Sequence, residues 1–258
     1  MKPVTLARLK AMKRRGEKIV CLTAYDASFA SLLEAQGVEV LLVGDSLGMV
    51  VQGEESTLPV TVADMIYHTR CVKRGARRAM VVADMPFMSY ATPPQALGNA
   101  VRLMKEGGAH MVKMEGPPLE VVEYLNRHRI PLCAHLGLQP QSVHKLGGYR
   151  VQGREDPEGL LDQARALEAA GADLLVLECV PRTLAARIAQ ALTVPVIGIG
   201  AGPDCDGQVL VLYDMLGITR VGARFVRRFL DKEIPEAIGA YVEAVKGGLF
   251  PGEEHSFD

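Results

Sequence analysis

Short apolar runs that stop abruptly at a polar or glycine residue recur eight times along this 258-residue chain, and stretches of helical periodicity follow most of them. The clearest run covers residues 38–43, rich in β-branched side chains and halted by Gly44 just before Asp45 and Ser46. The others cover residues 19–25, 79–84, 110–115, 131–136, 173–178, 194–199 and 208–212. Amphipathic segments over 26–36, 61–74, 94–106, 119–127, 157–170, 182–192 and 234–246 fill the intervals. Strands alternating with helices at this spacing, in a chain close to the roughly 250 residues typical of the fold, predict an α/β protein of the (β/α)8 TIM-barrel type. An additional helix over residues 5–15, with Thr5 as N-cap and Gly16 as stop, precedes the first strand and is placed to close the bottom of the barrel. An open doubly wound sheet is the competing arrangement, but no dinucleotide-binding glycine fingerprint follows the first strand. No linker or shift in composition marks a second domain, so residues 1–258 are read as a single barrel domain. The connection at 139–156 is longer than usual and rich in glycine and polar residues, which predicts a functional lid.

Bulk properties narrow the partners. With 48% hydrophobic and 23% charged residues and a formal net charge of −1, nothing favours nucleic acid or an anionic membrane. The basic clusters at 10–15 and 73–78 read as solvated helix ends. Five scattered cysteines without a CxxC argue for reduced thiols in a cytoplasmic protein, with Cys21, Cys133 and Cys179 as small core residues. No apolar leader is present, and no apolar run approaches the ~20 residues of a membrane span.

In a barrel of this type the chemistry lies where strands end. One rim would collect Asp45, Asp84, Glu115, His135 and Glu178, each from a different strand. Lys113 and Glu115 are two residues apart and share a face of the fourth strand. A lysine inside a barrel needs an anion, so Lys113 is either half of a buried Lys–Glu pair or an anchor for a substrate carboxylate. Carboxylates without clustered His or Cys suit a hard divalent cation, and Asp45 with Asp84 fits Mg²⁺, whose shell water and the oxygens of a 2-oxo acid would complete. Such an ion would act as a Lewis acid on the carbonyl and favour loss of a proton from the adjacent carbon. Glu178, across the rim, is the candidate base. The run Gly198-Ile199-Gly200-Ala201-Gly202 admits two readings, a phosphate cradle or a close backbone approach.

The residues around these positions resemble a known family. The stretches are Thr23-Ala24-Tyr25-Asp26, Val43-Gly44-Asp45-Ser46-Leu47-Gly48-Met49, Asp64-Met65-Ile66-Tyr67-His68-Thr69, Asp84-Met85-Pro86-Phe87-Met88-Ser89-Tyr90, Val112-Lys113-Met114-Glu115-Gly116, His135-Leu136-Gly137-Leu138 and Gly147-Gly148-Tyr149-Arg150-Val151-Gln152-Gly153. With Leu58-Pro59-Val60-Thr61-Val62, Leu177-Glu178 and the late glycine run, they make nearly the whole chain similar to the ketopantoate hydroxymethyltransferase family. The resemblance implies hydroxymethyl transfer from 5,10-methylenetetrahydrofolate to 3-methyl-2-oxobutanoate, giving 2-dehydropantoate on the way to pantothenate. It implies Mg²⁺ held by Asp45 and Asp84 with Glu115 near it through water. It further implies substrate contacts from Ser46, Lys113 and His135, Glu178 as the acceptor of the C3 proton, and a homo-oligomer, in the family a decamer, with the final helix as a candidate contact. Two departures stand out: Gly116 is followed by Pro117 where the family carries a second glycine, and Tyr213-Asp214 replaces a His-Asp pair. A Mg²⁺-dependent 2-oxo acid lyase or mutase of the isocitrate lyase and phosphoenolpyruvate mutase type is the rival, though its catalytic cysteine motif is absent. A non-catalytic 2-oxo acid sensor is a second rival, which would have no use for Glu178.

Overall fold

A computed structural model describes residues 2–148, 150–219, 223–230 and 234–257. Eight parallel strands close into a barrel in sequence order: β1 (Ile19–Thr23), β2 (Val40–Val43), β3 (Met80–Asp84), β4 (Met111–Glu115), β5 (Leu132–Gly137), β6 (Leu174–Glu178), β7 (Val196–Ile199) and β8 (Gly207–Leu210). β1 pairs with both β2 and β8, which completes the ring. Nearly every strand residue is buried, since one face fills the barrel and the other is covered by helices. That accounts for continuous apolar runs in place of polar alternation.

The helices are α1 (Leu6–Arg15), α2 (Ala27–Ala35), α3 (Leu47–Val50), α4 (Val62–Gly75), α5 (Pro93–Arg102), α6 (Leu119–Arg127), α7 (Val143–Leu146), α8 (Pro157–Ala170), α9 (Arg182–Ala191), α10 (Leu212–Met215) and α11 (Ile234–Lys246). Local chemistry sets their ends. The Thr5 hydroxyl accepts from the Arg8 N–H, and Gly16 closes α1 in the left-handed conformation. Asp26 caps α2 through the Phe29 N–H at 2.9 Å. Thr61 and Asp64 form a reciprocal capping box at the start of α4.

α1 does seal the bottom of the barrel. Lys13 Nζ lies 2.7 Å from both Asp206 Oδ2 and the Ala189 carbonyl, and Lys10 pairs with Asp173 at 3.6 Å. Asp206 and Asp173 immediately precede β8 and β6. Lys13 is therefore a partly buried tether, not the solvated helix end that its charge cluster suggests.

Other differences from expectation are local. The helix expected over 94–106 is α5 continued by a π-helical turn, Leu103–Gly107, that packs against Thr69 of α4. The strand expected over 208–212 ends at Leu210, and Leu212 begins α10. The connection at 139–156 is not structureless: a 3₁₀ turn, Pro140–Ser142, leads into α7. Tyr149 of that connection lies outside the described residues. α11 turns Ile238, Tyr241 and Val245 onto its own barrel, and the Tyr241 hydroxyl donates to the β1 and β8 carbonyls of Cys21 and Gln208. All five cysteines are free, and no described helix is long and apolar enough to cross a membrane.

Candidate active site

Parallel pairing sets which side chains meet at the C-terminal rim. In the barrel register Asp84 stands beside Lys113, Glu115 beside His135, and Gly137 beside Glu178. Asp45 follows β2 directly. All five expected rim residues, with Lys113 and Ser46, line one cavity of about 530 Å³.

At its floor, Lys113 Nζ donates to Asp84 Oδ1 at 2.7 Å, and both side chains are about 5% exposed or less. The lysine's protein partner is thus Asp84 on β3, not Glu115 on its own strand. Asp84 Oδ2 accepts the Asp45 backbone N–H at 3.0 Å, which ties the ends of β2 and β3 together. Ser46 does not use its hydroxyl as a helix cap; Oγ lies 2.9 Å from the Tyr25 hydroxyl at the end of β1. Burial disfavours charge on Lys113, but Asp84, Glu115 and Asp45 outweigh it and hold the ammonium above the ordinary lysine range.

The acids respond in the opposite sense. Burial, then repulsion from Asp84, pushes Asp45 above the usual carboxyl range. Burial and Asp45 do the same to Glu115. Glu178 is pushed up to about 8, mainly by burial, with Lys113 opposing and Asp45 and Asp84 reinforcing the shift. His135 is held well below its ordinary pKa by burial and by Lys113, so it is a neutral imidazole. Its Nδ1 is 3.8 Å from Glu115 Oε1 and its Nε2 is 3.5 Å from Glu178 Oε2. Among the described residues neither ring nitrogen makes a hydrogen bond of good geometry, although both are buried and the Leu138 backbone lies close by. An orphaned, nearly enclosed imidazole beside a proton-hungry carboxylate is poised for a ligand.

The cavity changes character towards its mouth. Leu138, Val151, Ile199 and Val211 line its walls, with Phe225 and Phe257 in edge contact at 6.5 Å and Arg150 and Arg224 alongside. The glycine run after β7 serves close approach: at Gly200, with φ +61°, a Cβ would sit 3.0 Å from both phenyl rings. At Gly137, with φ +92°, a Cβ would sit 2.1 Å from the Glu178 carbonyl. Gly137→Ala is therefore expected to cost about 2–4 kcal/mol through strain and displacement of the β5–β6 edge, read as a lowered denaturant midpoint.

Two residues at the site are not among the expected site residues, although Tyr90 ends one of the stretches that carry the family resemblance. Gln141, on the 3₁₀ turn after β5, reaches both Asp45 and Glu115, and Tyr90 reaches Gln141. Polar residues in an aperiodic loop look alike in sequence, and only proximity to the acids distinguishes Gln141.

A closed parallel barrel with converging carboxylates, one lysine and one neutral imidazole at its C-terminal rim defines a (β/α)8-barrel enzyme. Residues 3–253 match the profile of the family described as ketopantoate hydroxymethyltransferase, and the chain belongs to that family. It is 60% identical to 3-methyl-2-oxobutanoate hydroxymethyltransferase of Halorhodospira halophila, over 99% of this chain and 95% of that protein. It is 62% identical to the enzyme of the same name from Nitrosococcus oceani, over 98% and 99%. Among solved structures, phosphoenolpyruvate phosphomutase from Streptomyces platensis subsp. rosaceus shares the fold, with a TM-score of 0.63 over 85% of each chain at 16% identity.

Proposed function

We propose that this protein transfers a hydroxymethyl group from 5,10-methylenetetrahydrofolate to 3-methyl-2-oxobutanoate, giving 2-dehydropantoate for pantothenate and coenzyme A synthesis. The observation that carries this reading is the shared floor of Asp45, Asp84, Lys113, Glu115, His135 and Glu178 in one cavity. Four of these are carboxylates and only one is a cation, so burial and mutual repulsion drive protons onto Asp45, Glu115 and Glu178. A divalent cation would relieve that excess of negative charge. Among the described residues no group of three or more His, Cys, Asp or Glu side chains forms a ready metal cage. Mg²⁺ takes one or two carboxylates and fills its shell with water and substrate oxygens, so it does not need such a cage. Asp45 and Asp84 would hold it, with Glu115 close by. When bound, the ion supplies Lewis-acid polarisation of the 2-oxo group.

The chain's own residues do the rest. Lys113 and Ser46 bind the carboxylate end of the oxo acid, and His135 offers its unpartnered nitrogens to the substrate. Water adds to the donor's methylene carbon and both C–N bonds to that carbon break, so tetrahydrofolate leaves and the carbon is delivered at the level of formaldehyde. Glu178 accepts the C3 proton, the carbon left electron-rich attacks that carbon, and its oxygen takes up a proton to complete the hydroxymethyl group. The apolar outer half of the cavity, with Phe225, Phe257 and the two arginines, suits a flat ring with an anionic tail. The protein is further read as a cytoplasmic homo-oligomer, a decamer by analogy with the family, built from a single barrel domain.

The lyase or mutase alternative needs a reactive thiol. Cys179 borders the cavity, but burial and the adjacent Glu178 push its thiol well up, so it stays protonated. Incubation with 3-methyl-2-oxobutanoate and Mg²⁺ in D₂O is expected to erase the C3 proton signal in the NMR spectrum. Persistence of that signal, with and without the folate donor, sinks the proposal.

A further inference from the structure

We propose that Gln141 is a positioning residue that fixes the Asp45 carboxylate for its metal, so that the loop after β5 sets the cation affinity of the β2–β3 acids. This rests on the Mg²⁺ reading above.

The carboxamide is 5% exposed and every hydrogen-bonding group on it is used. Nε2 donates to Asp45 Oδ2 at 2.8 Å and to the Met85 carbonyl at 3.0 Å. Oε1 accepts from the Tyr90 hydroxyl at 2.6 Å. An amide has two N–H donors and one carbonyl, and this set admits one orientation. The flipped amide would aim its oxygen at the Asp45 carboxylate and the Met85 carbonyl. Tyr90 therefore acts as the lock, and its hydroxyl also lies 3.1 Å from the Glu115 carbonyl. The Gln141 backbone N–H meanwhile donates to Glu115 Oε2 at 2.9 Å. One residue thus grips the acid after β2, the carbonyl after β3 and the acid ending β4.

Asp45 has Oδ2 committed to Gln141 at 2.8 Å, with the Thr57 side chain also beside the carboxylate, so its rotation is arrested and it is held at the cavity. Without the amide, Asp45 would be a buried carboxylate, repelled by Asp84 and free to turn away from it. Hydrogen-bond partners that orient metal ligands typically matter about 10–100-fold in affinity.

The test is Mn²⁺ binding to the intact, substrate-free protein, read from the EPR signal of free Mn²⁺, with thermal melts in chelator alongside. Gln141→Leu keeps the bulk and removes the polar groups; it is expected to weaken Mn²⁺ binding about 10–100-fold. Tyr90→Phe leaves the amide but not its lock and is expected to weaken binding by up to about tenfold. The half-saturating Mg²⁺ for turnover should rise in parallel, with the KM for the oxo acid at saturating Mg²⁺ little changed. A lowered melting temperature with unchanged Mn²⁺ affinity in Gln141→Leu would mean a purely structural role and overturn the proposal. If that variant does not fold, unchanged affinity in Tyr90→Phe overturns it equally. Asp45→Asn separates the two levels: wild-type Mn²⁺ affinity there defeats the metal reading itself, whereas loss there beside normal binding in Gln141→Leu defeats only the role of Gln141.

Discussion

Glu178→Gln is expected to lower turnover about 10²–10⁴-fold, the range general-base catalysis typically supplies, while the oxo acid still binds. The substitution keeps the shape of a side chain that ends β6 and faces His135 Nε2 at 3.5 Å, and it removes only the capacity to take a proton. Deuterium exchange at C3 should vanish with it, and calorimetric substrate affinity should stay within about threefold. The pH profile adds an independent check. With its pKa pushed up to about 8, Glu178 is mostly protonated at neutral pH, and only the ionised form can act as a base. Turnover, which needs Mg²⁺, should therefore climb with pH through an inflection below about 8, because the cation offsets the Asp45 and Asp84 charges that help to raise the Glu178 pKa in the metal-free protein. Stability runs the other way. A carboxyl whose folded pKa lies above its unfolded one binds more protons in the native state, so the metal-free protein loses stability as pH rises from the ordinary glutamate range to about 8. Glu178→Gln should flatten that slope. Turnover in the variant equal to wild type would remove Glu178 as the base.

Strand-end acids were the most legible part of the site because burial makes them anomalous in sequence. Asp84, Glu115 and Glu178 each terminate an apolar run, and in a parallel barrel the end of a run is the rim. The chemistry of single positions could therefore be combined before any contact was known. Lys113 was legible as a buried charge but not in its pairing. Its sequence neighbour Glu115 shares its strand face, yet the interstrand register sets Asp84 beside it and the ion pair follows the register. Ser46 was legible as a residue of the barrel rim but not in its bond to Tyr25, which depends on how β1 and β2 pack. Gln141 and Tyr90 lie in connections with no periodicity, so nothing in their spacing separates them from solvent-facing loop residues. The π-helical turn at Leu103–Gly107 was equally hidden, since its apolar spacing within one turn is indistinguishable from that of an α-helix.

The ion pair at the cavity floor makes a second strong prediction, and an asymmetric one. Asp84→Ala should cost about 3–5 kcal/mol in a chelator-treated urea melt, because it strands Lys113 in the barrel interior without its 2.7 Å partner. It also frees the Asp45 backbone N–H from its acceptor at the strand-end turn. Lys113→Met should cost less, on the order of 1–2 kcal/mol, because the acids it leaves behind can relieve the loss by taking up protons. Asp45 and Glu115 are already displaced in that direction by burial and mutual repulsion. An ammonium fixed inside the barrel has the same escape only by losing its proton, against the pull of the remaining carboxylates. The double variant Asp84→Ala/Lys113→Met removes both charges together and leaves no stranded ammonium, so it should be more stable than Asp84→Ala alone. The two sites are in contact, so their costs should not add, and a coupling energy of about 1–3 kcal/mol is expected from the cycle. All three proteins should be inactive, which separates what the pair does for the fold from what it does for the substrate. Equal, additive costs would show that Asp84 and Lys113 are held by the barrel independently of one another, and that the carboxylate could turn to a cation without releasing the lysine.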